Sequence, residues 1–176
     1  TLTIHSDSNT NTATLTTGGS VSIDTGATLQ RGSGTGAWTF NLSGDWTNSG
    51  TFTAGTSTVI FNKPGTATYG GSSTTTFNDL VVNSGTTLDV GTTALFGANG
   101  TVTNNGTLKQ TKTVNASSTV DFLNVSTNKY YGVQIAAGGT GLGSTTVSVS
   151  GNQICSQAQG YPVKRCFDVT PATAAS

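Results

Sequence analysis

Side chains that could act as acids or bases are few in this sequence and widely spaced. All seven acidic residues are aspartates, and His5 is the only histidine. Enzymes that cleave polysaccharides hold two carboxyl groups at a controlled separation, one as the acid and the other as the base or nucleophile. Asp79 and Asp89 are the best candidates for such a pair, because they would fall on adjacent turns of a coiled chain. The other aspartates are dispersed, so we expect no catalytic residues and predict that the protein is not an enzyme.

Two further patterns resemble sites but lack the surroundings that the chemistry requires. His5 and Asp7 lie on one side of a predicted strand, as a nucleophilic triad would need, yet no oxyanion-hole motif accompanies them. The glycine-rich segment 32–37 resembles a dinucleotide-binding loop. A strand follows it at 38–40, so a bound phosphate would lack the N-terminus of a helix. We therefore predict no cofactor.

Cys155 and Cys166 are the only cysteines, and they predict a disulfide bond. They flank a Gly-Tyr-Pro turn at 160–162 and can close a short loop in an oxidising compartment. A metal site would require at least two further ligands, and the single histidine lies at the opposite end of the chain. We expect a structural disulfide, no bound metal and an exported protein.

Turns of the form Asn/Asp-x-Gly-Thr recur through the chain. They begin the strands that must position the acidic, histidine and cysteine side chains considered above. Asn and Asp tolerate left-handed backbone conformations, and glycine adopts them without steric cost, so each motif predicts a corner that begins a strand. The motif or a close variant occurs at 24–29, 48–53, 83–88 and 105–108. The glycines are about two to three dozen residues apart, which is the length of one turn of a solenoid with occasional insertions.

Composition and alternation predict strands throughout the chain. Thr, Val and Ile favour strands, whereas Glu and Met are absent and lysine is scarce. Apolar residues alternate with Thr, Ser and Asn in short segments such as 37–43, 58–62 and 77–82, which is the period of a half-buried strand. We expect most aromatic residues of these strands to lie inside the fold.

Two all-β architectures accommodate such strands. A β-sandwich favours hairpin turns and strands of five or six residues, whereas a β-solenoid uses shorter strands with small residues at its corners. The repeated corner motif and the 24 glycines favour the solenoid. At about 20 to 24 residues a turn, we predict a right-handed parallel β-helix of roughly six or seven turns over residues 1–150. A disulfide-containing cap or docking segment follows over residues 151–176.

The charge distribution argues against two classes of partner. Seven basic and seven acidic residues are spread thinly, and only 8% of the chain is charged. A nucleic-acid-binding protein would show a basic stripe, and a membrane-spanning helix would need about twenty consecutive apolar residues. The sequence has neither, so we predict no nucleic-acid binding and no membrane insertion. Because a surface with so little net charge does not repel its own copies, self-assembly is physically easy.

Several segments between residues 40 and 110 resemble the repeats of large bacterial surface proteins. They are Gly-Asp-Trp-Thr-Asn-Ser-Gly-Thr-Phe at 44–52, Val-Ile-Phe-Asn at 59–62, Tyr-Gly-Gly-Ser at 69–72 and Phe-Asn-Asp-Leu-Val-Val-Asn at 77–83. These segments are similar to those of secreted β-strand-repeat and filamentous-haemagglutinin-like adhesins. The resemblance implies a parallel β-helix that is displayed outside the cell and is used for adhesion or for building a matrix or surface layer.

The ends of the predicted coil are the candidate functional surfaces. A solenoid exposes unpaired backbone at each end, and natural monomers block these ends with caps. The chain begins at once as a strand with no cap-like feature, so this end can receive the C-terminal end of another copy and propagate a filament. The predicted subunit interface consists of Thr1, Leu2, Thr3, Ile4, Phe167 and Val169.

Two functional hypotheses follow. The first is a structural subunit of an extracellular filament or surface layer, whose partners are copies of itself stacked head to tail. The second is an adhesin module of a larger bacterial surface protein, which binds glycans or other cell-surface components. Tyr130 and Tyr131 are its candidate ligand contacts, because two adjacent residues of a strand cannot both point inward.

Overall fold

The computed structural model describes residues 2–4, 12–31, 36–92, 96–124, 132–152, 155 and 164–173. Within these residues the protein consists of strands and turns with no helix, and we number the strands β1 to β19 in chain order. The same residues therefore include no helix long and apolar enough to cross a bilayer. The prediction of an all-β fold is confirmed.

The strands up to residue 114 form a parallel β-helix with three faces. Three consecutive strands make one turn, and strands three positions apart lie on the same face. The first face contains β1 (Leu2–Ile4), β4 (Thr28–Arg31), β7 (Thr51–Thr53), β10 (Thr75–Phe77) and β13 (Phe96–Ala98). The second contains β2 (Ala13–Thr17), β5 (Trp38–Leu42), β8 (Thr58–Phe61), β11 (Asp79–Val82) and β14 (Val102–Asn104). The third contains β3 (Val21–Ile23), β6 (Trp46–Asn48), β9 (Gly65–Gly70), β12 (Thr86–Asp89) and β15 (Thr107–Val114).

The core lies inside the coil and is built from alternate residues of each strand. Parallel pairing stacks the inward residues of successive turns, so that Phe40 lies beside Val59 and Val59 beside Leu80. All three side chains are at most 1% exposed. Trp46 and Phe77 pack edge to face with ring centroids 5.4 Å apart, a geometry that adds to the stabilisation from burial alone. The prediction that most strand aromatics point inward is confirmed.

The corner motif contains glycine for two different physical reasons. Gly26 and Gly85 have φ angles of +79° and +81°, which is the left-handed region that the motif predicts. Gly50 and Gly106 do not adopt positive φ. They pass close over the preceding turn, and a Cβ atom on Gly106 would lie closer than 3.0 Å to two carbonyl oxygens of the corner at 83–86. The expected left-handed conformation is therefore wrong for these two glycines, because close stacking between turns excludes a side chain there.

A buried asparagine joins two turns at a corner. Asn48 is fully buried, and its Nδ2 donates hydrogen bonds to Thr75 Oγ1 at 3.0 Å and to the carbonyl oxygen of Thr74 at 3.2 Å. Its Oδ1 accepts a hydrogen bond from the backbone N–H of Gly50 at 3.1 Å. The last bond is the local turn that the motif predicts, and the first two fix the following turn of the coil against it.

The parallel coil ends with β15, and antiparallel strands follow. β18 (Gly143–Gly151) pairs with β15, and β19 (Arg165–Pro171) pairs with β18, which extends the third face to seven strands. β16 (Thr119–Phe122) and β17 (Val133–Ala136) form a separate antiparallel pair. Because five strands stack on each face, the described coil makes about four turns from the first strand of a face to its last, rather than six or seven. The larger number assumed that residues up to 150 continue the coil, whereas the chain reverses after Val114.

Candidate functional site

The two aspartates considered for catalysis are engaged in structural contacts and do not form a pair. Asp79 begins β11 and Asp89 ends β12, so they lie on different faces of one turn and not on adjacent turns as expected. Asp79 Oδ1 accepts a hydrogen bond from the backbone N–H of Thr101 at 2.7 Å. Asp89 Oδ1 accepts one from the N–H of Gly91 at 2.9 Å, and its Oδ2 forms an ion pair with Lys109 Nζ at 2.8 Å. Both carboxylates thus stabilise corners of the coil.

Asp45 connects two turns of the coil in a way that the sequence did not reveal. Its Oδ1 accepts hydrogen bonds from Lys63 Nζ and from the backbone N–H of Thr68, both at 2.8 Å. The hydrogen bond from Lys63 has the larger effect and the one from Thr68 adds to it. Together they hold the pKa of the Asp45 carboxyl below its usual value. Its two partners are 18 and 23 residues away along the chain. No local motif carries that information.

The C-terminal edge of the third face presents an uncovered apolar pair. β19 is an edge strand that pairs only with β18 among the strands that the structure describes. Phe167 and Val169 lie on the same side of the sheet as their partners Val149 and Val147, which are fully buried. Phe167 and Val169 are 45% and 41% exposed. They are exposed although they face the core side, because the described strands of the first and second faces end at β13 and β14.

Two contacts hold the beginning of β19 in place. Cys155 and Cys166 form a disulfide bond with their Cα atoms 5.4 Å apart, which confirms the predicted pairing. The guanidinium group of Arg165 lies 5.1 Å from the centroid of the Phe167 ring, within the range of a cation–π contact. The edge strand is therefore tied covalently to the chain that precedes it.

An apolar cavity opens at the opposite end of the coil. It has a volume of about 280 Å³, and its lining includes Leu15, Val21, Ile23, Leu29 and Phe40. Ile23, Leu29 and Phe40 are buried, whereas Leu15 and Val21 are only half-buried. Val21 and Ile23 belong to β3, which is the other edge strand of the seven-stranded sheet in the described part of the chain. Apolar side chains of a partner can therefore enter beside this edge.

The remaining residues of the predicted interface and ligand site are described only in part. Leu2–Ile4 form β1, which is an edge strand of the first face and pairs with β4. Thr1, Tyr130 and Tyr131 lie outside the described residues. Within the described ranges, no group of three His, Cys or Asp side chains could hold a metal ion.

No protein family, curated protein or solved structure matches this chain. The β-solenoid arrangement itself is compatible with a β-helix repeat protein. Function must therefore be inferred from the surfaces of the coil.

Proposed function

We propose that this protein is a structural subunit of an extracellular filament or surface layer, in which copies stack head to tail through the ends of their coils. The seven-stranded sheet of the third face supports this proposal most strongly. Its two edges, β3 and β19, lie at opposite ends of one molecule, and each presents apolar residues on the core side. A single chain thus carries both halves of a contact that can repeat without closing, which is the requirement for a filament.

The exposed pair on β19 supplies part of the driving force. Full burial of a Val or Phe side chain is worth about 1.5 to 3 kcal/mol, so covering the exposed part of Phe167 and Val169 would contribute about 1 kcal/mol each. Backbone hydrogen bonds along the edge would add specificity, as in other cases of strand addition. The chain has seven basic and seven acidic residues, so repulsion between copies is weak.

The extracellular location and the bacterial surface-protein class belong to the same proposal. They are supported by the disulfide between Cys155 and Cys166, since such bonds persist in oxidising compartments. The resemblance of residues 40–110 to adhesin-type repeats agrees with the coil. A surface layer or fibre built from such coils needs no catalytic centre.

A charge-insertion experiment tests the proposal. The purified chain should form filaments at high concentration, visible by negative-stain electron microscopy and as fast-sedimenting species in the ultracentrifuge. Val169→Asp should leave monomers, because assembly would bury a carboxylate without a partner. Thr170→Asp is the matched control, because residue 170 lies on the other face of the same strand and is already exposed; this variant should still assemble.

Both variants should fold, since residues 169 and 170 are exposed in the isolated molecule. Circular dichroism melting curves that overlay the wild-type curve would establish this. Uniform monomers of the wild-type chain at high concentration would contradict the proposal. Filaments of Val169→Asp as abundant as those of the wild type would show that β19 is not the contact.

A further inference from the structure

We propose that β19 of one copy pairs in parallel with β3 of the next, so that the third face becomes one continuous sheet along the filament. This inference rests on the proposed head-to-tail assembly and specifies its partner, its strand direction and its register. The observations that carry it are the directions of the strands, the faces on which their apolar residues lie and the open space beside β3.

The strand directions match only because the chain reverses twice. β3, β6, β9, β12 and β15 are parallel to one another. β18 runs antiparallel to β15, and β19 runs antiparallel to β18. β19 therefore points in the same direction as β3. A second copy stacked on the same axis with the same polarity presents its β3 to β19 as a parallel neighbour, which is the arrangement already found inside the coil.

The inward faces also match. Val169 pairs with Val147, and Val147 with Gln110, all on the core side of the sheet. At the other edge, Val21 pairs with Trp46, and Trp46 with Tyr69. Asp89 pairs with Thr68 and with Lys109, so continuing both registers by one residue places Val90 between Tyr69 and Gln110 and carries this second column on to Gln110. Val21 and Val169 thus stand at the two ends of a single column of core residues.

This column sets the register of the contact. If the column continues across the junction, Val169 of one copy lies beside Val21 of the next, and Phe167 lies beside Gly19. A Cβ atom built on Gly19 would meet nothing within 4 Å, so the ring of Phe167 has room there. Val169 would extend toward the cavity that Val21 and Leu15 line. On the outer face, Thr170 would lie beside Ser22, both of which are exposed in the isolated molecule.

A second copy fits this edge better than an unrelated strand does. An unrelated strand would have to match the direction and the inward apolar positions of β19, whereas β3 matches both in the same sheet. In the proposed register Asp168 lies beside Ser20 and Thr170 beside Ser22, so no two like charges face each other across the junction. Burying Phe167 and Val169 in this contact also covers the exposed edge of β19. Exposed edge strands in natural sheets are otherwise sites of uncontrolled association.

Disulfide trapping between separately purified copies tests the pairing. One preparation carries Ser22→Cys and the other Thr170→Cys; both retain the native disulfide, and they are mixed under mild oxidation. Neighbouring strand positions lie within the Cα distance of about 4.4 to 6.8 Å that a disulfide needs. We expect a covalent dimer on a non-reducing gel. The register control replaces Thr170→Cys with Asp168→Cys, which lies two residues, or about 7 Å, along the strand, and it should give at least tenfold less dimer.

The outcomes separate this inference from the proposed function. Filaments that form without cross-linking between positions 22 and 170 would overturn the strand pairing and leave head-to-tail assembly intact. Equal cross-linking of both pairs would overturn the register. Absence of both filaments and cross-links would overturn the assembly as well. Electron micrographs of each cysteine variant before oxidation show that it still folds and assembles.

Discussion

Replacing Gly106 with alanine should weaken the coil more than the same replacement at Gly85, although both glycines belong to the same corner motif. At Gly106 the new Cβ would lie closer than 3.0 Å to the carbonyl oxygens of Asn83 and Thr86. The corner cannot simply move away, because the backbone N–H of Gly106 donates to Val82 O at 3.1 Å. Overpacking costs about 1 to 3 kcal/mol, and each weakened hydrogen bond adds about 1 kcal/mol, so we expect a loss of about 2 to 4 kcal/mol.

Gly85 provides the matched comparison. Its φ is +81°, and a Cβ atom there would meet nothing within 4 Å. Alanine at this position pays only the left-handed backbone penalty of about 1 to 2 kcal/mol. Asparagine tolerates that conformation, so Gly85→Asn should be milder than Gly85→Ala. At Gly106 the same change should be at least as damaging as alanine, because the obstacle there is space.

The stabilities of the alanine and asparagine variants at Gly85 and Gly106 can be compared by urea unfolding followed by circular dichroism. The free energies of unfolding come from linear extrapolation, with the slopes compared to verify that the transitions remain alike. If Gly106→Ala lowers the free energy of unfolding by no more than Gly85→Ala does, the close-stacking explanation is refuted. A Gly106→Asn variant more stable than Gly106→Ala would also refute it.

Three further predictions concern the contacts between and beyond the turns. Asn48→Leu should lower the free energy of unfolding by about 1 to 3 kcal/mol in urea, because it removes the hydrogen bonds that this buried amide makes to the Thr74 carbonyl oxygen, to Thr75 Oγ1 and to the Gly50 N–H; a neutral effect would contradict the role of the amide. Asp45 has a lowered pKa in the folded state, so its stabilising contribution is present above its usual pKa of 3.8 and is lost as the pH falls through the lowered value. The stability difference between the wild type and Asp45→Asn should therefore be largest above the usual pKa of 3.8 and shrink as the pH falls below it, and a difference independent of pH would argue against the bonds from Lys63 and Thr68. Replacing Cys155 and Cys166 by serine removes a cross-link worth about 3 kcal/mol for a loop of this size; hydrogen exchange should accelerate in β19 but not in β12, and equal acceleration in both would show that the disulfide stabilises the whole coil.

The coil itself could be predicted from the sequence because its signals are local. The alternation of Trp38, Phe40 and Leu42 shows a strand with one buried face, and the Asn-x-Gly-Thr motifs mark corners. The two cysteines, with no other candidate ligand nearby, indicate a disulfide. Each of these inferences depends on residues within a few positions of one another.

The end of the coil could not be predicted, because alternation does not encode strand direction. Val147 and Val149 alternate with serine and threonine just as the coil strands do, yet their strand runs antiparallel to the coil. The predicted number of turns was too high for this reason. Sequence alone could place Phe167 and Val169 on one side of a strand, but it could not show that this side faces the core and is uncovered. The corner contacts of Asp45 were missed because their partners come from the next turn.

The axial repeat of the assembled filament, measured by cryo-electron microscopy, distinguishes stacking through β19 and β3 from every other mode of assembly. Each copy contributes seven strands to the third face. If β19 joins β3 of the next copy, these strands follow one another at about 4.8 Å, which predicts a rise of about 34 Å per subunit and an unbroken sheet along one face. A chain that stays monomeric at high concentration, or filaments with a different rise and a break between β19 and β3, would contradict this stacking.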